Sequence, residues 1–474
     1  SDVYKRQIIN NPFHYEIENL TRAFFNNEKM NVIKCDKNVN REKPFVAIEL
    51  IKHEKDSDII VSFADEDFEK TLSKKIDGEF DSEYSECERM AAIMLFEILS
   101  EYTGIRLPWG ILTGVRPIKL LHNLVRELGT DGADKYFREK LLVTEQKTKL
   151  ALTTEKNERK ILELSKPDSF SLYISVPFCP TRCSYCSFVS QSIEKAKKLV
   201  EPYLDLLCQE IKYTAEIAKE LNLRLETVYI GGGTPTTFSA EQLTKLITAI
   251  NASFDMKKCR EFTIEAGRPD TITREKLEAI LDGGCDRISI NPQTLNDEVL
   301  EAIGRRHTAT QTLEAYKLAE EIGFKHINMD LITGLPKDTP ETFKYTLDTL
   351  CDLSPASITV HTLAMKRSSF LTLGGALVKT GAEPPAAIMM KYCEEKLPQF
   401  GYHPYYLYRQ SRMEGNLENV GWSKDGFDGL YNVYVMDETH TILACGAGGV
   451  SKLREPGVNH LEPVSYTHLT LPTT

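Results

Sequence analysis

The sequence predicts an α/β protein: a partial (β/α)6 barrel with an N-terminal α+β domain before it and a C-terminal domain after it. Three observations predict this. From about Ser169 short β-rich runs alternate with amphipathic helical stretches, and such alternation implies parallel strands joined by right-handed crossovers. Upstream of that point, two strand-like runs around a charged turn precede two helical stretches. From about Gly381 the alternation is lost. The expected boundaries are 8–166, 167–380 and 381–463.

The N-terminal region is read in order. "KPFVAIELIK" and "SDIIVSF" are strands on either side of a turn from Glu54 to Ser57. "SECERMAAIMLFEILSEY" carries apolar residues at helical spacing, and a second helix starts near Pro117. This region shows no catalytic constellation. The barrel strands follow at 171–176, 225–230, 261–266, 286–290, 326–332 and 357–363. Between them, Ser239 with Gln242 forms a capping box, and Thr339 before Pro340 is an N-cap followed by a first-turn proline.

Both ends read as foreign. "SDVYKRQ" (1–7) can be encoded by TCAGATGTGTATAAGAGACAG, and the complementary strand in another frame encodes "VSYTHL". Residues 1–7 and 464–474 are therefore expected to be translated adapter, set aside from fold reasoning, with the natural gene cut on both sides.

Bulk properties exclude several classes. A net charge of −11 gives no overall basic field to draw in nucleic acid or an anionic membrane. No apolar run reaches the length of a membrane span. Eight of the eleven cysteines are scattered singly, which argues for free thiols in a reducing cytoplasm.

The other three cysteines stand together in "SVPFCPTRCSYCSF": Cys179, Cys183 and Cys186, spaced C-x3-C-x2-C. A structural zinc site needs four ligands, usually in two separated pairs, so this loop fits zinc poorly. Three thiolates suit a [4Fe-4S] cube with one iron left without a protein ligand. The loop follows the first barrel strand, at the C-terminal mouth where barrel chemistry is done. "GGGTPT" follows the second strand, where residues without side chains let the main chain approach a ligand; it is neither a Walker loop nor a dinucleotide fingerprint. Glu265, Gln293 and Asp330 end or follow later strands. Each alone could be a turn or capping group; it is their arrival at one mouth that points to a site.

The cysteine spacing, with Tyr185 before the third cysteine, resembles the radical S-adenosylmethionine superfamily. Within it, "YISVPFC", "GGGTPT", "TIEAGRPD", "RISINPQTLN" and "MDLITGLPKDT" are similar to the oxygen-independent coproporphyrinogen oxidases, and the N-terminal extension and "GYHPYYLYRQSRMEGNLENVGW" resemble the HemZ-type coproporphyrinogen dehydrogenases. The resemblance implies a HemN-like C-terminal domain, a [4Fe-4S] cluster on Cys179, Cys183 and Cys186, and S-adenosyl-L-methionine on the fourth iron. It implies a 5′-deoxyadenosyl radical that takes a hydrogen from a propionate of coproporphyrinogen III, with loss of CO2 and a further electron to leave a vinyl group. It further implies contacts to S-adenosylmethionine from Tyr173, Gly232, Gly233, Thr234 and Glu265, a second S-adenosylmethionine or substrate site lined by Tyr185, Gln293, Arg305, Asp330 and Ala364, and a main-chain contact from Val450. Tyr173 and Tyr185 stand as the catalytic pair. Arg306, His307, Lys366 and Arg409 are expected to meet propionates, since guanidinium forks suit carboxylates. A flavodoxin or ferredoxin is the expected electron donor, and the chain is expected to be monomeric.

Three positions depart from the usual oxidase pattern: Ser175 replaces a histidine, Thr333 a tyrosine, and Asn291-Pro292 a glycine-containing pair. They bear on the second site and the exact substrate step. The competing expectations are a haem-binding chaperone of the same fold, against which "GNLENVGW" lacks a histidine, and a radical enzyme acting on another tetrapyrrole.

Overall fold

The computed structural model describes residues 3–9, 12–25, 29–35, 43–78, 83–188, 190–364, 383–410, 413–454 and 461–463. They fall into two compact units, one holding the chain as far as Leu152 with the segment ending at Ile388 and Tyr408–Glu418, the other holding the rest.

The first unit is built on a five-stranded sheet in the order β2-β1-β3-β4-β5. Strands β1 (Val3–Ile9), β2 (Lys29–Cys35) and β3 (Phe45–Lys52) are parallel; β4 (Asp56–Ala64) and β5 (Glu69–Asp77) continue as an antiparallel meander. Residues 3–7, set aside on sequence grounds, are thus part of a strand, because sheet pairing is made by the main chain whatever the origin of the sequence. The helix Tyr84–Thr103 buries Met94, Leu95, Ile98 and Leu99, and ends at Gly104 in the left-handed region that favours glycine. Phe25, Phe63, Phe68 and Tyr102 form an aromatic cluster with centroids 4.7–6.3 Å apart.

The second unit carries the expected alternation. Strands β6 (Ser169–Val176), β9 (Arg224–Gly232), β10 (Glu261–Glu265), β11 (Arg287–Ser289), β12 (His326–Thr333) and β13 (Ser357–Thr362) are parallel and adjacent in chain order. Between β6 and β9 lies a two-residue parallel pair, β7 (Phe178–Cys179) with β8 (Gln191–Ser192). Helices return the chain at Val200–Glu220, Ala240–Ser253, Arg274–Asp282, Ala309–Ile322 and Pro340–Leu353. Ser239 and Gln242 complete their capping box, and Thr339 caps the helix that Pro340 opens.

The six strands do not close on themselves. β14 (His403–Tyr408) and β15 (Asn419–Ser423) extend the sheet beyond β13, while β16 (Thr441–Cys445), β17 (Lys452–Arg454) and β18 (Leu461–Pro463) extend it beyond β6. The stretch expected to stand as a C-terminal domain therefore adds strands to the barrel sheet, except for its described start up to Ile388 and Tyr408–Glu418, which belong to the first unit.

Alternation along the strands sorts the side chains. Leu172, Ile174, Val228, Ile230, Ile264, Ile288, Met329, Leu331, Ile358 and Val360 are fully buried on one face. The other face is polar: Thr227 bonds Ser171, and Asn328 bonds Ser289, Ser357 and Thr359, at 2.8–3.1 Å. At the lower end of this face Glu226 accepts from Arg224 (2.6 Å), Tyr434 (2.8 Å), Arg260 and Ser169. Tyr434 lies on the helix Leu430–Asp437, whose first N–H groups bond to buried Glu261. His440 stacks on Tyr434 at 3.7 Å, and burial lowers its pKa to about 3.

Replacing Glu226 with Ala leaves Arg224 and Arg260 facing each other in a partly buried site, and we expect a loss of about 3 kcal/mol in urea unfolding. Ser239→Ala removes a solvent-facing cap and should cost about 1 kcal/mol. Equal effects from the two would show that the Glu226 cluster does not hold the strand ends.

Candidate functional site

The loop after β6 is irregular and is held by main-chain bonds from neighbouring turns. Gly233 and Thr234 give their N–H groups to the carbonyls of Val176 and Phe178, both at 2.7 Å. Ser184 N–H donates to Ile303 (3.0 Å), and the Thr181 hydroxyl to the Gly304 carbonyl (2.9 Å). The three cysteines converge on this loop. The Thr234 hydroxyl faces Cys179 Sγ at 3.6 Å, Arg268 faces Cys183 Sγ at 3.8 Å, and the Phe188 N–H faces Cys186. Burial raises the pKa of Cys179 and of Cys186, and the neighbouring Cys183 adds to both.

The glycine run lines one side. A Cβ at Gly233 would lie 2.6 Å from the Phe178 carbonyl and 3.0 Å from Cys179 Sγ. At Gly232, where φ is +107°, it would meet Ser175 Oγ at 2.9 Å. At Gly231 it would press on the Glu265 carboxyl at 3.2 Å. The main chain is therefore drawn against the Cys179 sulfur and the Glu265 carboxyl, which only glycine permits.

Glu265 ends β10 and accepts from the Tyr229 hydroxyl at 2.6 Å. Burial raises its pKa to about 7; the Tyr229 bond opposes this and Asp330 adds to it. Tyr229 stacks on Tyr431 at 4.4 Å, and Tyr173 stacks beside both at 6.3 and 6.4 Å. Burial raises the Tyr173 pKa well above the ordinary tyrosine value, so its hydroxyl stays neutral. Asp330 accepts from Asn328 at 2.7 Å and lies 3.8 Å from His361. Gln293, at φ +67°, bonds the main chain of Asp330, and its buried Oε1 has no protein partner.

Other expected residues are placed differently. Arg305 is buried, donating to the carbonyls of Asn291 (2.6 Å) and Gly267 (3.3 Å) and to the Tyr185 hydroxyl (3.1 Å). Tyr185 packs on Val299, Ile303 and Leu335. Asn291-Pro292 thus serves as an acceptor for Arg305, and Thr333 is buried against His361 and Thr362. Ser175 bonds the Ala447 carbonyl at 2.8 Å, tying the end of β6 to the turn that carries half-exposed Val450. Ala364 follows β13.

The expected propionate contacts are corrected where the structure describes them. Arg306 is exposed and paired with Glu194 at 3.2 Å. His307 is buried between Arg305 and Arg268, and burial lowers its pKa to about 3. Arg409 is buried in the first unit, donating to the carbonyls of Leu112, Gly114 and Asn416, with its guanidinium over Trp109. Lys366 lies outside the described residues. Sequence reasoning missed Arg268, Tyr229 and Tyr431 as members of the site. Tyr229 could have been found: it stands two residues before Gly231, on the same face of its strand.

The Radical SAM superfamily model matches residues 173–350. The oxygen-independent coproporphyrinogen-III oxidase-like protein HemZ of Bacillus subtilis is 39% identical over 396 residues, covering 81% of this chain and 79% of the relative. The chain belongs to this radical SAM family. The heme chaperone HemW of Lactococcus lactis is 30% identical over 65% of this chain and 76% of its own. A solved structure of coproporphyrinogen III oxidase (HemN) from Escherichia coli aligns with 62% of this chain and 66% of its own at 23% identity and a TM-score of 0.48. The family uses a [4Fe-4S] cluster and S-adenosylmethionine, and the residues present fit both: three thiols on one loop, a glycine edge that a Cβ would fill, and an orphaned acceptor on Gln293. Among the described residues no helix is long and apolar enough to cross a membrane.

Two outcomes follow. Gly233→Ala should fold yet bind well under half the iron of the wild type after anaerobic reconstitution. Glu265 is protonated in the folded protein up to about pH 7. In the unfolded chain it ionises near the ordinary value of about 4.3. Wild-type stability should therefore fall, relative to Glu265→Gln, as pH rises from about 4.5 to about 7, and then level off. A gap between the two melting temperatures that stays constant from pH 6 to 8 would contradict this.

Proposed function

We propose that the protein catalyses oxidative decarboxylation of coproporphyrinogen III propionates to vinyl groups, giving protoporphyrinogen IX. The observation that carries this reading is the seating of the three-cysteine loop against a glycine edge that at its other end abuts Glu265, in a chain that shares 39% identity with a coproporphyrinogen oxidase-like relative. Cys179, Cys183 and Cys186 would hold the cluster, and bound there with S-adenosylmethionine it would supply the one-electron chemistry that starts hydrogen abstraction from carbon.

The chain's own groups do the rest. The edge at Gly232, Gly233 and Thr234 leaves room for the methionyl end of S-adenosylmethionine, and the Glu265 carboxyl group faces its polar groups. Gln293 Oε1 and Asp330 offer acceptors deeper in the mouth. Tyr173, Tyr229 and Tyr431 stack into a floor that keeps water out, which matters for a reactive carbon radical. Arg305 and Tyr185 brace the cluster loop from behind. The cysteines whose side chains are described form no disulfide among themselves, in keeping with the cytoplasm.

Relatives named heme chaperone HemW support a second reading, in which the protein binds haem without turnover. The test is anaerobic. The reconstituted protein is given dithionite, S-adenosylmethionine and coproporphyrinogen III, and products are followed by mass spectrometry. Protoporphyrinogen IX with 5′-deoxyadenosine is expected, and Cys183→Ala should abolish both. Stoichiometric haem binding with no change in the porphyrinogen would favour the chaperone.

A further inference from the structure

The inward face of the barrel sheet rises in layers. The lower layer is the paired set Ser171, Thr227, Ser289, Asn328, Ser357 and Thr359. Two residues further along a strand the same face is presented again. Tyr173, Tyr229 and Asp330 hold that upper position on their strands, and Glu265 joins them through the Tyr229 hydroxyl. On β13 the upper position is His361, two residues after Thr359. Its Nε2 lies 3.8 Å from Asp330 Oδ2, and its side chain is 29% exposed. Asp330 Oδ1 accepts from Asn328 below, so the carboxylate is fixed and turns its other oxygen to the imidazole. Among the described residues no group hydrogen-bonds the His361 ring.

The rest of this layer is hostile to an anion. Glu265 and Asp330 are acids, close enough that Asp330 adds to the raised pKa of Glu265, and Gln293, bonded to the Asp330 main chain, carries an unmatched buried acceptor. The two arginines on the loops above are buried and engaged: Arg268 by Asp270 and Thr181, Arg305 by Asn291, Gly267 and Tyr185. Among the described residues of the upper layer, His361 alone can carry a positive charge. A carboxylate entering there would meet acceptors at β10 and β12 and a donor at β13. We propose that His361 recognises the substrate, donating a ring N–H to the carboxylate of the propionate that is to react. The inference rests on the coproporphyrinogen reading, because that substrate is what brings the carboxylate. It also divides the mouth by charge: the acids Glu265 and Asp330 are left for the cationic groups of S-adenosylmethionine, and the imidazole for the anionic arm.

The test uses the full reconstituted chain with S-adenosylmethionine but no reductant, so that binding is read without turnover. Two fluorescent probes are titrated: coproporphyrin III, and mesoporphyrin IX, which carries ethyl groups in place of the propionates that the reaction consumes. The wild type should bind coproporphyrin III roughly tenfold more tightly than mesoporphyrin IX, the size of one hydrogen bond to a charged group. His361→Leu should abolish that preference, weakening coproporphyrin III roughly tenfold and leaving mesoporphyrin IX as in the wild type. His361→Gln, which keeps an N–H, should fall between. The mesoporphyrin IX affinity separates a lost contact from a damaged fold. A preference that survives in His361→Leu, equal affinity for the two probes in the wild type, or a parallel loss of both probes in both variants would overturn the proposal. Failure of the wild type to bind coproporphyrin III at all would instead overturn the coproporphyrinogen reading beneath it.

Discussion

Everything at the mouth depends on holding an irregular loop still without regular structure of its own. Three sulfurs have to converge before a cluster can be bound, and the segment that carries them has only the two-residue pair of β7 and β8. Its position comes from outside: Val176 and Phe178 carbonyls accept from Gly233 and Thr234, Ser184 and Thr181 reach the turn at Ile303 and Gly304, and Arg268 bonds Thr181 Oγ1 at 3.1 Å. These bonds come from three separate strand-to-helix turns, so the loop is positioned only once the barrel strands have assembled. Arg305 secures the same turn from behind, since its fork closes on Asn291, Gly267 and Tyr185.

The polar face of the sheet follows from the same requirement. A barrel interior is ordinarily filled with branched aliphatic side chains. Here the inward positions carry Ser171, Thr227, Ser289, Asn328, Ser357 and Thr359, which would be costly if unpaired. They are paired across strands, and Asn328 passes the chain of bonds upward to Asp330. The lower end is closed by charges on Glu226, Arg224 and Arg260 and by Tyr434. Tyr431, from the same helix, reaches Tyr229 and through it Glu265. The helix that closes the far end thus also packs against the tyrosine that bonds Glu265.

Much of this was legible in the sequence. The strand and helix order could be read because parallel barrel strands are short β-rich runs and their helices carry strong caps, as at Ser239 and Thr339. The cysteine loop, the glycine run and Glu265 could be read because their chemistry allows few alternatives. What was not legible depends on chain reversals far apart in sequence. Nothing near Arg409 shows that it will be buried over Trp109, or near His307 that it will lie between two arginines. Arginine in a loop is ordinarily solvated, and burial was the exception at Arg268, Arg305 and Arg409 alike. The strands beyond β13 and β6 escaped the reading for a similar reason: edge pairing is decided by which main chain arrives, not by a local pattern.

The departures from the usual oxidase pattern can now be weighed by what each residue touches. Ser175 closes on Ala447 and leaves Tyr173 and the glycine edge in place, so that exchange is local. Asn291-Pro292 gives up an N–H at the proline, while Arg305 is anchored on the main-chain carbonyl of Asn291, which any residue there would offer, so the cluster support does not depend on that exchange. Thr333 is different. It is buried on the Leu331 face of its strand, opposite Asp330, and its hydroxyl bonds the His361 carbonyl and the Thr362 hydroxyl, so this exchange alters the packing behind the polar face and not the groups that line it.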